Sequence, residues 1–117
     1  MLLIEYPKCS TCQKAKKYLD SNNINYNVRN IVEEKLNKKE LDELIKKSQK
    51  DVNKFFNTSG LKYRELKLST KLPNMTYEEK LEALSSDGML VKRPLLELEN
   101  TVLIGFKEKE WNNSLGI

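Results

Sequence analysis

The amino-acid sequence predicts an α/β protein with one mixed β-sheet and helices packed on it. Two observations indicate this class. The N-terminal part of the chain shows strand, helix and strand patterns in turn, and the C-terminal part shows a β-hairpin followed by a helix. Between them, at about residues 36–88, the apolar spacing is helical. The predicted order is therefore βαβ, a helical insertion and ββα, in a single domain of residues 1–117.

The first three elements follow from apolar patterns near the N-terminus. The segment 2–6 is short and apolar and is closed by Pro7, which indicates a buried strand. The segment 12–19 continues as a helix with one apolar face. After a polar turn, a second strand is predicted because apolar residues alternate with polar ones at Ile24, Tyr26 and Val28.

Capping patterns predict the two main helices of the insertion. Asn37 stands three residues before Glu40, and Thr76 stands three residues before Glu79. Each pair fits a capping box, in which the two residues satisfy each other's free main-chain N–H groups. Gly88 then provides a stop signal for the second helix.

The remaining elements are shorter. A helical turn is predicted at 51–56, and a short helix follows the "NTSG" stretch, with Asn57 or Thr58 as its cap. The apolar segments 95–98 and 102–104 are separated by three residues, as expected of a tight hairpin. The sequence "KEKEWNNSL" predicts a final helix.

Composition narrows the class of protein. In 117 residues, 38% are hydrophobic and 32% charged, which describes one globular domain rather than a disordered chain. The net charge of +4 comes from scattered residues, which favours solvated helix faces over direct nucleic-acid binding. No apolar stretch has the length of a signal peptide or a membrane span. We therefore expect a cytoplasmic monomer with no membrane partner.

Both cysteines lie in the sequence "KCSTCQK". Cys9 follows the first strand and Cys12 falls in the first turn of the next helix, so free main-chain N–H groups point toward the Cys9 sulfur. Lowering a thiol pKa from about 8.5 to about 6 requires about 3.4 kcal/mol, whereas a helix N-terminus supplies about 2 kcal/mol at most. A nearby cation is therefore needed, and Lys8 and Arg93 are the candidates.

The cysteine pair is compatible with several kinds of site. Structural zinc takes four ligands, usually Cys or His, and this chain has two Cys and no His. The pair could also be two buried inert cysteines or a permanent disulfide, although a reducing cytosol disfavours the disulfide. Reversible thiol exchange is the favoured chemistry, in which Cys9 attacks, Cys12 resolves, and the two form a redox-active disulfide.

At residues 2–112 the sequence resembles the glutaredoxin-like arsenate reductase (ArsC) family, including its Spx/MgsR regulator relatives. The most specific marks are the cysteine at the strand–helix junction and the Gly-x-x-x-x-Arg-Pro pattern from Gly88 to Pro94. The resemblance implies a thioredoxin-like fold in which Pro94 is a cis proline facing the active cysteine. Without the resemblance, the residues alone favour an ordinary proline at the start of a strand for Pro94 and a surface salt bridge for Arg93.

The resemblance also implies residue roles. Cys9 matches the family nucleophile, and Arg93 matches one of the arginines that bind the oxyanion. The positions of two other such arginines fall at Asn57 and near Phe106, where no guanidinium is available. We therefore expect weak or absent arsenate reduction. The residues expected to contact substrate are Lys8, Thr11 and Pro94.

Three functions remain open at this point. The first is a thiol–disulfide oxidoreductase that uses no cofactor or metal, with a low-molecular-weight thiol or a thiol-redox protein as its partner. The second is a redox-sensing regulator of the Spx/MgsR type that binds RNA polymerase. The third is a true arsenate reductase. Cys12 is an additional thiol relative to reductases that borrow one from glutaredoxin, and by the resemblance it matches the CxxC redox switch of Spx-type regulators. The chemistry of the cysteine pair favours the first function, because the pair is suited to reversible thiol exchange.

Overall fold

A computed structural model describes residues 1–117, and its four strands form one mixed sheet. The strands are β1 (Leu2–Glu5), β2 (Asn27–Asn30), β3 (Leu95–Glu97) and β4 (Val102–Ile104). Their order in the sheet is β2-β1-β3-β4. β1 runs parallel to β2 and antiparallel to β3, and β4 pairs antiparallel with β3. The predicted α/β, thioredoxin-like fold with a mixed sheet is confirmed.

Six α-helices accompany the sheet. They are α1 (Ser10–Ser21), α2 (Lys38–Ser48), α3 (Leu61–Glu65), α4 (Leu68–Lys71), α5 (Tyr77–Ser86) and α6 (Glu108–Leu115). Three short 3₁₀ helices lie at Val52–Phe55, Leu72–Asn74 and Gly88–Leu90. None of these helices has the length and apolar character needed to cross a lipid bilayer.

The sheet is apolar on both faces, because successive strand residues point to opposite sides. One face carries Ile4, Leu95 and Val102, which belong to the larger core together with the helices between β2 and β3. The other face carries Leu3, Leu96 and Leu103, which pack with Ala15 and Leu19 of α1 and Trp111 of α6. The sheet is therefore covered by helices on both sides, and α1 is fixed over its second face.

Both predicted capping boxes are present. The Asn37 side chain accepts from the Glu40 N–H, and the Glu40 carboxylate accepts from the Asn37 N–H. Thr76 and Glu79 make the same reciprocal pair at the start of α5. These local patterns predicted helix starts correctly because the partners lie three residues apart and need no tertiary contact.

The second strand is shorter than predicted. It begins at Asn27, and Ile24 and Tyr26 lie before it, where they pack against the core beneath α1. Val28 is exposed. The physical reason is the register: Asn27 pairs with Leu2 at the start of β1, so earlier residues have no neighbouring strand to pair with.

The expected cap of α3 is wrong. Gly60 occupies the N-cap position, and no side chain caps this helix. Asn57 instead donates its main-chain N–H to the Leu90 carbonyl at 2.8 Å. Asn57 is therefore bound to the segment before β3, and it does not cap α3 as the local sequence predicted.

Gly88 also has a different role from the predicted helix stop. α5 ends at Ser86, and Gly88 lies buried in the following 3₁₀ helix. A Cβ on Gly88 would lie 2.2 Å from the Ile31 carbonyl oxygen. The absence of a side chain therefore permits a close main-chain approach between the segment before β3 and the end of β2.

Replacing Gly88 with Ala should destabilise the fold, because the added methyl group collides with main chain that cannot rotate away. We expect a loss of at least about 2 kcal/mol in the free energy of unfolding, measured in urea. Gly60→Ala is the control and should change stability less. Its Cβ would lie 2.8 Å from the end of the Asn57 side chain, which can move aside, whereas the main chain at Gly88 cannot. If Gly88→Ala and the unmodified protein had equal free energies of unfolding, the main chain at Ile31 could move away without loss of stability, and the prediction would be wrong.

Candidate functional site

Cys9 is the N-cap residue of α1. Its backbone is extended (φ −85°, ψ 121°), and the Cys12 main-chain N–H donates to the Cys9 Sγ at 3.4 Å. The Cys9 side chain is half-buried, and the first turn of α1 contains no acidic residue. The positive end of the helix therefore faces the sulfur, and an N–H group is aimed at it.

Cys12 lies in a different environment, one turn into the helix. It is fully buried, and both thiols are free. Burial raises the pKa of the Cys12 thiol to about 12, and its hydrogen bond with the Cys9 side chain adds to this rise. A protonated Cys12 is therefore expected at neutral pH. Cys9 is therefore the more accessible of the two thiols.

A cavity of about 290 Å³ opens at Cys9. Two other residues predicted from the sequence, Thr11 and Arg93, also line it. The rest of its lining comes from the insertion and from the hairpin region: Asn57, Ser59, Lys92, Ile104, Gly105, Phe106 and Lys107. The sheet edge, the insertion and the start of α6 therefore meet at the reactive thiol.

Arg93 is held beside the loop that carries Cys9. Its guanidinium carbon lies 5.3 Å from the centre of the Tyr6 ring, and the Tyr6 carbonyl accepts from the Cys9 N–H at 3.0 Å. A terminal nitrogen of Arg93 makes long bonds of 3.5 and 3.4 Å to the carbonyls of Met89 and Val91, and its Nε is buried without a partner. The guanidinium thus retains unused donor capacity next to the cavity.

The two remaining predicted site residues lie differently. Pro94 is buried, and the Arg93–Pro94 peptide bond is cis, as the resemblance implied. The Pro94 carbonyl accepts from the Gly105 N–H at 2.8 Å, which ties this segment to the end of β4. Lys8 is exposed in the turn before Cys9 and lies outside the lining of the cavity.

Sequence reasoning missed several residues of the cavity. Lys92, Lys107 and Ser59 carry no motif that distinguishes them from other polar surface residues. For the site, Asn57 and the region of Phe106 were identified as positions where family arginines are replaced, and both residues line the cavity. Phe106 also packs against Tyr18 and Trp111, with ring centres 5.4 and 4.8 Å away.

Glu5 is a buried acid at the end of β1, close to the cysteines. Lys16 of α1 pairs with its Oε1 at 2.6 Å, whereas its Oε2 has no partner. Lys16 is four residues beyond Cys12, so both lie on the face of α1 that covers Glu5. The negative charge of Glu5 is one further, smaller cause of the raised Cys12 pKa. The structure has no group of three or more Cys, Asp or Glu side chains placed to hold a metal ion.

The chain is similar to one protein family and to several known proteins. The model of the ArsC family matches residues 4–114. YusI of Bacillus subtilis is 50% identical over 109 residues, covering 93% of this chain and 92% of YusI. The regulatory protein MgsR of the same organism is 28% identical over 90% of this chain and 82% of its own length.

A solved structure extends this similarity to three dimensions. The crystal structure of an ArsC family related protein from Bacteroides fragilis superposes with a TM-score of 0.92 and 54% identity. The match covers 96% of this chain and 94% of the other. With the family model spanning nearly the whole sheet and insertion, the chain belongs to the ArsC family.

Proposed function

We propose that this protein is a cytoplasmic thiol–disulfide oxidoreductase in which Cys9 attacks a disulfide and Cys12 resolves the mixed disulfide. One observation carries the proposal: at the edge of a cavity, the Cys9 sulfur accepts the Cys12 N–H, one of the free N–H groups in the first turn of α1, while the Cys12 side chain is buried. Such an arrangement activates one thiol and protects the other until it is needed.

In the first step, the Cys9 thiolate attacks one sulfur of the substrate disulfide. The bond between the two substrate sulfurs breaks, and the departing thiolate carries away the electron pair. The N-terminus of α1 and the Arg93 guanidinium stabilise the negative charge of the Cys9 sulfur before attack. Thr11 lines the cavity where the substrate enters, and Pro94 follows Arg93 through the cis peptide bond.

In the second step, the Cys12 thiolate attacks the Cys9 sulfur and releases the second substrate thiol. Two causes of the raised Cys12 pKa come from Cys9: the hydrogen bond with its side chain and its negative charge. Burial, the largest cause, remains in the mixed disulfide, but the negative charge of Cys9 is gone and its hydrogen bond is weakened, so Cys12 loses its proton more readily than before the attack. The resulting Cys9–Cys12 disulfide is then reduced by a low-molecular-weight thiol or a dithiol redox protein.

A redox-sensing regulator is the second candidate, favoured by the similarity to MgsR over 90% of the chain. In this case the same disulfide would form, but it would change an interaction with RNA polymerase rather than serve turnover. Steady-state reduction of a model disulfide by a thiol donor separates the two, because a sensor reacts once whereas an enzyme cycles. Redox-dependent capture of purified polymerase tests the regulator directly.

The two thiols should differ in reactivity. We expect Cys9, tested as Cys12→Ser, to react with iodoacetamide at about pH 7 at least about tenfold faster than Cys12, tested as Cys9→Ser. The Cys12 rate should keep rising into the alkaline range, since a thiol with a raised pKa stays protonated below it. Adducts are quantified by mass spectrometry. A faster Cys12 would reverse the assigned roles.

Removing Arg93 should slow the Cys9 reaction. In the Cys12→Ser background, we expect Arg93→Ala to lower the alkylation rate at pH 7 about threefold to tenfold, because a neighbouring cation favours the thiolate. Arg64→Ala is the matched control, as Arg64 is exposed and lies outside the Cys9 cavity. Superimposable pH–rate curves with and without Arg93 would remove its assigned role.

Arsenate reduction should be weak or absent. Arg93 is the single arginine in the cavity, and the other two expected positions fall at Asn57 and near Phe106. The ammonium groups of Lys92 and Lys107 cannot offer the bidentate contact of a guanidinium. Each charge-assisted hydrogen bond to an anion is worth about 1.5–3 kcal/mol, so the loss of two lowers arsenate affinity by roughly a hundredfold or more. The measurement is arsenite production with glutaredoxin or a small thiol as donor. Robust turnover would contradict this expectation.

A further inference from the structure

A second, larger cavity adjoins the one at Cys9 and is strongly basic. Its volume is about 470 Å³, and it shares Lys92, Ile104 and Lys107 with the Cys9 cavity. We call it the lysine groove. Its charged lining residues are four lysines and one glutamate: Lys50, Lys54, Lys92, Lys107 and Glu110. The lysine groove and the Cys9 cavity therefore lie side by side, with Lys92, Ile104 and Lys107 at their boundary.

The four lysines lack carboxylate partners. The ion pairs of the protein involve five other cations, namely Lys16, Arg29, Lys38, Lys46 and Lys47. Like charges that converge in one concave site repel each other, and such a site concentrates field lines that attract anions. The lysine groove thus carries an excess of positive charge that this chain does not itself neutralise.

Main-chain contacts hold the lysines around the groove. Lys92 donates its N–H to the Phe55 carbonyl at 2.7 Å, and Lys54 donates to the Asp51 carbonyl at 3.0 Å. The Lys107 carbonyl accepts from the Trp111 N–H at 2.9 Å. These lysines come from segments far apart in sequence, so the tertiary fold brings them together.

We infer that the lysine groove binds the carboxylates of an anionic low-molecular-weight disulfide and directs its sulfur to Cys9. The inference rests on the proposed function and adds the charge class of the substrate. The groove volume lies within the range of about 300–1,000 Å³ typical of small-molecule sites. Lys92 and Lys107 line both cavities, so a ligand anchored by them in the groove lies next to the cavity that contains the thiol.

The chemistry is that of the proposed function, with the leaving group specified. The Cys9 thiolate forms a bond with the near sulfur, the substrate S–S bond breaks, and an anionic thiolate leaves with the electron pair. Cys12 then displaces the second thiol and gives up its proton. Overall, the two protein thiols are oxidised and one substrate disulfide is reduced to two thiols.

A pair of chromogenic disulfides tests the inference. Stopped-flow absorbance follows the reaction of the Cys12→Ser protein with 5,5′-dithiobis(2-nitrobenzoate), a dianion, and with neutral 2,2′-dithiodipyridine. The measured quantity is the rate constant for the dianion divided by that for the neutral disulfide, and 2-mercaptoethanol at the same pH serves as the model thiol. We expect this ratio to exceed that of the model thiol by about tenfold at low salt. It should fall as salt shortens the Debye length from about 30 Å at 0.01 M to about 3 Å at 1 M.

Charge variants identify the groove as the source of the preference. In Lys50→Gln/Lys54→Gln, which alters lysines that line only the groove, the ratio should fall about fivefold to tenfold. Lys39→Gln/Lys71→Gln removes the same two charges from exposed sites outside both cavities and should leave the ratio within about twofold. Glu110→Gln should raise the ratio, because it removes the one negative charge of the groove.

The outcomes separate this inference from the proposed function. A ratio equal to that of the model thiol, or equal losses in the two double variants, would overturn the lysine groove as an anion site while leaving thiol exchange intact. If Cys9 reacted with the neutral disulfide no faster than 2-mercaptoethanol, the proposed function itself would fail, and the inference would fail with it.

Discussion

The hydrogen bond from the Cys12 N–H to the Cys9 sulfur is the contact on which the site depends. It places a thiol where helices usually carry Ser, Thr, Asp or Asn, so the sulfur satisfies one of the free N–H groups of α1. The helix can take this position because Ala15 and Leu19 bury its inner face against the sheet. The packing of α1 thus determines both the direction of the N–H groups and the difference between an accessible Cys9 and a buried Cys12.

The insertion completes the site from the other side. Gly88 brings its segment against the main chain of Ile31, and the Asn57 N–H is bound by Leu90 in the same segment. From there the chain runs through Arg93 and the cis Pro94 into β3. The guanidinium therefore reaches the Cys9 loop because a close main-chain contact, several residues earlier, sets the path of the chain.

Charge is distributed unevenly around the two cysteines. Glu5 and its partner Lys16 lie near Cys12. Burial is the main cause of the raised Cys12 pKa, and the negative charge of Glu5 adds to it. Arg93 and four lysines lie around the open side, where positive charge attracts anions. The two thiols thus have different surroundings: burial and an acid at Cys12, partial exposure and cations at Cys9. This division is consistent with a nucleophile and a resolving thiol.

Local patterns in the sequence determined the starts of α2 and α5, the hairpin and the position of the cysteine pair between β1 and α1, because capping boxes, apolar periodicity and the CxxC spacing involve residues a few positions apart. The ArsC resemblance added the cis Pro94 and the oxyanion-binding role of Arg93, which spacing alone could not reveal. The start of β2, the cap of α3 and the role of Gly88 were mispredicted, since each depends on a partner far away in sequence. Only the tertiary structure decided the burial of Glu5 and the convergence of Lys50, Lys54, Lys92 and Lys107, because charge clustering arises from how the segments pack and leaves no mark in any short stretch of the chain.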